Sequence, residues 1–199
     1  MARPRLFDEG AALDAAMNVF WRHGYAATSV RDLCAATGLG PPSLYNAFGD
    51  KQALFARCLD RYLDENTLAR IRRAEAHQPP RLALERFLSA VAERSIADNR
   101  GCLLVNTALE VAPHEPAIGS VVAERLGEIE SFFFRCVEAG QREGSVSRER
   151  APEDLARLLL AVVMGMRVLA RARPDAALLQ GALQQALSLL GTPTPEARP

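Results

Sequence analysis

Residue types and spacings that could do chemistry are few in this chain, and most fall in one stretch, GLGPPSLYNAFGDK at residues 38–51. Two adjacent prolines open a short helical segment, a place where a missing N–H costs little because the first turn has no acceptor for it. Helical periodicity turns Leu44 and Phe48 inward, leaving Pro42, Ser43, Tyr45 and Asn46 on the other side. That outer face offers rings, hydroxyls and an amide in place of ordinary surface charge, which suits a DNA groove. Lys51, the only lysine in the chain, follows in the first turn of the next helix. There it opposes the positive end of the macrodipole at a cost of roughly 0.3 kcal/mol or more. A phosphate would offset this, accepting helix N–H groups and a charge-assisted bond from the ammonium together; a solvated surface lysine is the plain alternative.

Other chemistries find no support. H-E-x-x-H, a nucleophile elbow, a phosphate loop and a paired-carboxylate motif are all missing from the sequence, so no enzyme is expected. Cys34, Cys58, Cys102 and Cys136 stand far apart without a C-x-x-C pair, and the histidines number three. Neither a disulfide framework nor a structural zinc site is expected, and no cofactor. Cys102 follows Asn99-Arg100-Gly101, a helix-start sequence in which an arginine and a helix N-terminus favour the thiolate. Two readings stay open for it: a thiol that senses oxidants or electrophiles, or an inert buried thiol like the other three.

The elements that must position these residues are helices throughout. Apolar residues recur at intervals of three and four, with no convincing alternating run, so the expected class is all-α with nine helices in two domains. The first helix covers about 8–23, begun by Asp8 and stopped at Gly24. Thr28 or Ser29 caps the second, with Asp32 as capping-box partner of Ser29, and Gly38 ends it. A third begins near Pro41, and a longer fourth, begun by Asp50, carries Leu54, Cys58 and Tyr62 on one face. HQPP at 77–80 breaks the pattern; further helices are expected near 81–98, 102–112, 117–143, 152–172 and 175–190. The expected division is a DNA-binding unit at 1–48, a larger unit at 49–190 and a flexible tail at 191–199.

Charge is balanced, 24 basic against 24 acidic side chains, so no global field draws the chain to nucleic acid or anionic lipid and any such binding is local. Residues 1–58 carry six basic and five acidic side chains, which predicts a modest salt dependence. The longest apolar run, Leu158 to Met166, falls well short of the ~20 residues a membrane span needs, and MARPRLFDEG has no signal-peptide core. A cytoplasmic protein without a membrane partner is expected. The segment PEDLARLLLAVVMGMRVLARA is apolar on nearly all sides, so something must cover it. Either it is one buried central helix, or a second copy packs there, with Ala161 and Gly165 allowing close approach and Leu179, Leu183, Ala186, Leu187 and Leu190 completing a four-helix seam.

Two helices joined by a tight turn, with small Cys34 four residues before Gly38, match the helix-turn-helix arrangement, although an ordinary helical hairpin shares that spacing. The run T-S-V-R-D-L-C-A-A-T-G-L-G-P-P-S-L-Y-N-A-F-G-D-K-Q-A-L-F, preceded by F-W-R-H-G-Y, resembles the DNA-binding region of the tetracycline-repressor (TetR/AcrR) family over about residues 8–58. G-C-L-L-V-N-T-A-L-E at 101–110 resembles a segment in a subset of these regulators. The resemblance implies a homodimer on a palindromic double-stranded DNA operator, usually a repressor, released by a small-molecule effector, and it favours the dimeric seam. By position, Thr28 would meet phosphate, Pro41, Pro42, Ser43 and Asn46 would enter the major groove, and Tyr45 and Lys51 would hold the backbone. Pro42 departs from the small polar residue or glycine of many relatives, so it would read a thymine methyl instead of forming a hydrogen bond.

Arg3 and Arg5, with Pro4 between them, either reach a minor groove as an extended arm or form a disordered start. The resemblance places an effector cavity among the fourth to seventh helices, with Phe87, Phe132, Phe133, Phe134, Met164, Cys102, Asn106, Glu110 and His114 as candidate lining; plain core packing is the alternative. A thiol sensor acting through Cys102 and a ligand-free protein-binding adaptor are the competing functions on the same scaffold.

Overall fold

The structure is a computed structural model that describes residues 7–98 and 100–191. Among the described residues it holds helices and no strand. Helix α1 (Glu9–His23) begins where the Asp8 carboxylate accepts the Ala11 N–H at 3.1 Å, and stops at Gly24, whose φ of 84° suits a residue without Cβ. Helix α2 (Val30–Thr37) opens on a closed capping box: the Asp32 N–H donates to Ser29 Oγ at 3.2 Å and the Ser29 N–H to Asp32 Oδ2 at 2.9 Å. Helix α3 (Pro41–Phe48) has prolines in its first two positions and no side-chain cap at Gly40.

Helix α4 is one rod in three pieces. Lys51–Leu63 is α-helical, Asp64–Leu68 forms a π turn, and Ala69–His77 is α-helical again. The π segment is rich in weak helix formers, Asp64, Asn66 and Thr67, and the Asn66 side-chain amide donates back to the Tyr62 carbonyl at 3.0 Å. Counting this rod as one element gives nine helices among the described residues, with the π turn an addition that the periodicity did not predict. The rest are α5 (Pro80–Ala97), α6 (Leu103–Glu110), α7 (Pro116–Arg142), α8 (Pro152–Ala172) and α9 (Ala176–Ser188). Four of the nine, α3, α5, α7 and α8, have proline in the first turn, where its fixed φ starts a helix without loss of a bond.

The α1 to α3 unit closes around Phe20, Leu33, Leu44, Phe48 and Phe55, all at most 4% exposed. The rings of Phe20 and Phe55 meet edge to face at 5.0 Å, and Tyr25 sits 4.9 Å from Phe55. In the larger half α5, α7 and α8 share a core, with α9 against α5 and α8. Phe132 and Phe133 are fully buried there, and Phe87 meets them at 5.1 and 5.5 Å. Among the described residues no helix is long and apolar enough to cross a membrane, and no cluster of His, Cys, Asp and Glu could hold a metal ion. The expected arm residues Arg3 and Arg5 and the tail at 192–199 lie outside the described residues.

Candidate nucleic-acid interface

Helix α3 presents the face that its periodicity predicts. Leu44 is 3% and Phe48 4% exposed, whereas Pro41, Pro42, Ser43, Tyr45 and Asn46 are all exposed and none of the five side chains makes a hydrogen bond among the described residues. The frame behind them is braced. Arg57 on α4 donates to the Ala47 carbonyl at 3.3 Å, pairs with Glu9 at the start of α1 and lies 5.0 Å over the Phe48 ring. One turn on, Arg61 grips Asp14 with two bonds, at 2.7 and 3.0 Å. Such half-exposed pairs are each worth under about 1 kcal/mol, so their part is orientation more than stability.

Thr28 and Lys51 are engaged within the protein in ways that their spacing did not predict. Thr28 is 2% exposed and its hydroxyl donates to the Gly24 carbonyl at 2.6 Å, so the side chain ties the α1–α2 turn and only its main chain faces the α2 start; Ser29 is the cap. The Lys51 ammonium sits 4.4 Å over the Tyr25 ring, and Asp50 caps α4 through the Ala53 N–H at 2.8 Å. The charge that seemed to demand a phosphate is thus already offset within the protein by a π face and a neighbouring carboxylate. A residue that sequence reasoning passed over is Arg31, exposed in the first turn of α2, with no hydrogen bond or ion pair among the described residues. Its position inside the capping box, between Ser29 and Asp32, was the available signal.

Residues in the stretch 100–115, with Asp98, join the larger half to this unit. Glu110 Oε1 accepts the Ala26 N–H at 2.9 Å, and its carboxylate lies so near the α1–α2 turn that a Cβ at Gly24 would stand 2.8 Å from it. Trp21 Nε1 donates to the Gly101 carbonyl at 3.2 Å, and the Trp21 ring meets Tyr62 edge to face at 5.0 Å. The Arg100 guanidinium lies 3.9 Å over that ring while bonding Asp98 at 2.7 Å and Asn18 at 3.1 Å. Gln52 donates to Glu115 at 2.8 Å. Arg100 in turn holds the Asp98 carboxyl below the usual carboxylate range.

The residues expected to line one effector cavity do not converge. Asn106 and Glu110 share an open groove of about 530 Å³ between α6 and α8 with Val105, Leu109 and Arg171. Phe87 borders other hollows, Phe133 is sealed in the core, and Met164 is half-buried and lines neither. Cys102 is 8% exposed and accepts the Tyr62 hydroxyl at 3.6 Å, while the Arg100 guanidinium that was to activate it is held by Asp98, Asn18 and Trp21. Burial and the neighbouring thiol together push the Tyr62 hydroxyl far above its ordinary pKa, so it stays a neutral donor. His114 is an exposed turn residue.

On the expected seam, Ala161 and Gly165 lie exposed on α8 in a stripe with Leu158, Val168 and Leu169. Leu187 is half-buried, but Leu183, 4% exposed, belongs to the core of the single chain. Periodicity placed both leucines on an apolar face without saying which element covers each.

Known proteins share this arrangement. The model for bacterial regulatory proteins of the tetR family matches residues 12–58, and that for the tetracyclin repressor-like C-terminal domain matches residues 81–186. The chain is 32% identical over 179 residues to the HTH-type transcriptional repressor ComR of Escherichia coli (strain K12), covering 85% of this chain and 82% of that protein. It is 28% identical over 193 residues to the uncharacterized HTH-type transcriptional regulator YezE of Bacillus subtilis (strain 168), covering 96% and 100%. A cysteine mutant of the TetR family regulator CifR, solved in complex with 26-bp double-strand operator DNA, superposes with a TM-score of 0.82 at 33% identity, over 93% of this chain and 98% of that one. These matches, on a chain whose α3 face and bracing have the form of a helix-turn-helix unit, show that it belongs to the tetR family of bacterial regulatory proteins.

Proposed function

We propose that the chain is a cytoplasmic transcriptional repressor, without catalytic activity, that binds a palindromic double-stranded operator as a homodimer and leaves it when a small molecule occupies the larger half. The outer face of α3 carries this reading: five exposed side chains, uncharged and unbonded, on a helix locked from behind by Arg57. Such a face can follow a major groove with Pro41, Pro42, Ser43 and Asn46 toward base edges, while Tyr45, Lys51 and Arg31 meet the phosphates. The division into residues 1–48 for reading and 49–190 for response belongs to the same proposal.

The α8 stripe supports the dimer. Gly165 lies mid-helix, where glycine costs about 1 kcal/mol relative to alanine, yet a Cβ added there would meet nothing within 4 Å among the described residues. A second copy of α8 crossing at Ala161 and Gly165 explains why small residues stand there, with Leu158 and Leu169 alongside. Gly165→Arg is expected to convert the dimer to a monomer by sedimentation; a variant that stays dimeric moves the interface elsewhere. The function itself is tested by selecting bound sites from random duplexes, which should enrich one palindrome. Absence of any enriched sequence overturns the reading.

A further inference from the structure

Between the reading unit and the larger half lies a second hollow, separate from the α6–α8 groove. It has a volume of about 320 Å³ and is bordered by Trp21 from α1, Tyr62 and Asn66 from α4, Arg94 from α5, Arg100, and Arg167 from α8. A narrow continuation, sharing Tyr62, Asn66, Arg94 and Arg167, runs on to the apolar side chains of Phe87 and Val91.

Three features set this hollow apart. Its charge is one-sided: three guanidiniums border it against the single carboxylate of Asp98, which Arg100 already holds at 2.7 Å. Arg94 and Arg167 make no hydrogen bond or ion pair among the described residues, and Arg167 is half-buried, where an unpaired cation is disfavoured. Its walls are aromatic and apolar behind that charge. Finally, it sits on the π turn of α4, a local widening of the kind found at functional sites, which sets Asn66 beside the hollow.

We infer that this chamber is the effector site and that it takes an organic monoanion, a carboxylate on a compact aromatic or alkyl body. The carboxylate lies between Arg94 and Arg167, and the body stacks along Trp21 and Tyr62 toward Phe87. The volume is near the lower end of small-molecule sites, which limits the body to about one ring and a short chain. The inference rests on the repressor reading and deepens it. An occupant touches α1 through Trp21 and the larger half through α5 and α8, so it binds across the joint and biases the angle of the reading unit against the partner's.

The chain's single tryptophan borders the chamber, so Trp21 emission reports occupancy without a label. The probes are 3-phenylpropionate, 4-phenylbutyrate and octanoate, each with its primary amide as the uncharged counterpart, titrated against the full-length wild type and Arg167→Gln. At least one acid is expected to shift the emission saturably, to bind about tenfold or more tighter than its amide, and to release the selected operator. Arg167→Gln should bind that operator as the wild type does, yet lose about tenfold or more in acid affinity with the amide unaffected. Arg94→Gln should act in the same direction, which guards against a fold defect in one variant. Equal affinity for acid and amide, no emission change with any acid to millimolar concentration, or undiminished acid binding in both variants overturns the inference. Operator binding is measured separately without probe, so a wild type that binds operator but no acid refutes only the effector class. One that binds no DNA refutes the repressor reading.

Discussion

The outer face of α3 and the joint at Trp21, Gly24 and Glu110 lie on the same small unit and are built in opposite ways. On α3 five outward side chains are left without partners, while the polar groups that tie the two halves at the joint are engaged: Glu110 with Ala26, Trp21 with Gly101, Arg100 with Asp98 and Asn18, Gln52 with Glu115. A surface that must meet a large external partner keeps its hydrogen-bonding capacity free, whereas one that must transmit an angle fixes each group in place. Substitutions should therefore separate cleanly, altering recognition on one side and stability on the other.

The largest expected effect is at the joint. Trp21→Ala removes an edge-to-face contact with Tyr62, a cation–π contact with Arg100 and a bond to Gly101, and should destabilise the fold by about 3 kcal/mol in denaturant titration. A loss below about 1 kcal/mol would mean that the joint is looser than its contacts indicate. Asn46→Ala should do the reverse: thermal stability within ~0.5 kcal/mol of wild type, but a loss of about 1–3 kcal/mol in operator affinity confined to one base pair. If its base preferences match the wild type at every position, Asn46 is not a reading residue.

Glu110→Ala comes next, at about 1 kcal/mol, because the exposed Ala26 N–H can turn to water. Its sharper readout is hydrogen exchange at Ala26, which should accelerate while exchange in α5 and α7 stays the same; unchanged protection at Ala26 removes the latch. The smallest expected effect is chemical. Burial pushes the Cys58 and Cys136 thiols up to about 12, leaving a thiolate fraction on the order of 10⁻⁴ at pH 8. Half-exposed Cys34 should therefore alkylate first, ahead of buried Cys102. Peptide mapping that finds Cys102 modified before Cys34 would restore the thiol-sensing role that its surroundings argue against.

These differences follow the physical range of each signal. Asp8, the Ser29 and Asp32 box, Gly24 and Gly38 act on their own helix ends within four residues, so the reading unit was legible from sequence to within a residue or two. The inward set of α3 was legible for the same reason, since its period depends on one helix alone. The helix dipole at Lys51 was no sign of a phosphate, because its offset is a ring 26 positions earlier in the chain, a fact of tertiary packing. Leu183 and Gly165 looked alike as seam residues because periodicity marks a side chain as covered without naming what covers it. The arginine chamber had no signature at all: Trp21, Arg94 and Arg167 come from three distant helices, and the π turn that completes it follows from no spacing rule.

The position of Lys51 has a practical consequence. A protease specific for lysine has one peptide bond to attack in the whole chain, and it lies in the first turn of α4, where the reading unit gives way to the rest. The same residue is the only side-chain amine an acylating reagent can find. With its ammonium over Tyr25 on the side of the unit that faces the phosphates in the proposed complex, bound operator would cover both the scissile bond and the amine. In that complex a single cut, or a single acyl group on this side chain, would mark the molecules that are off DNA, in a protein whose 24 basic residues otherwise offer only guanidiniums.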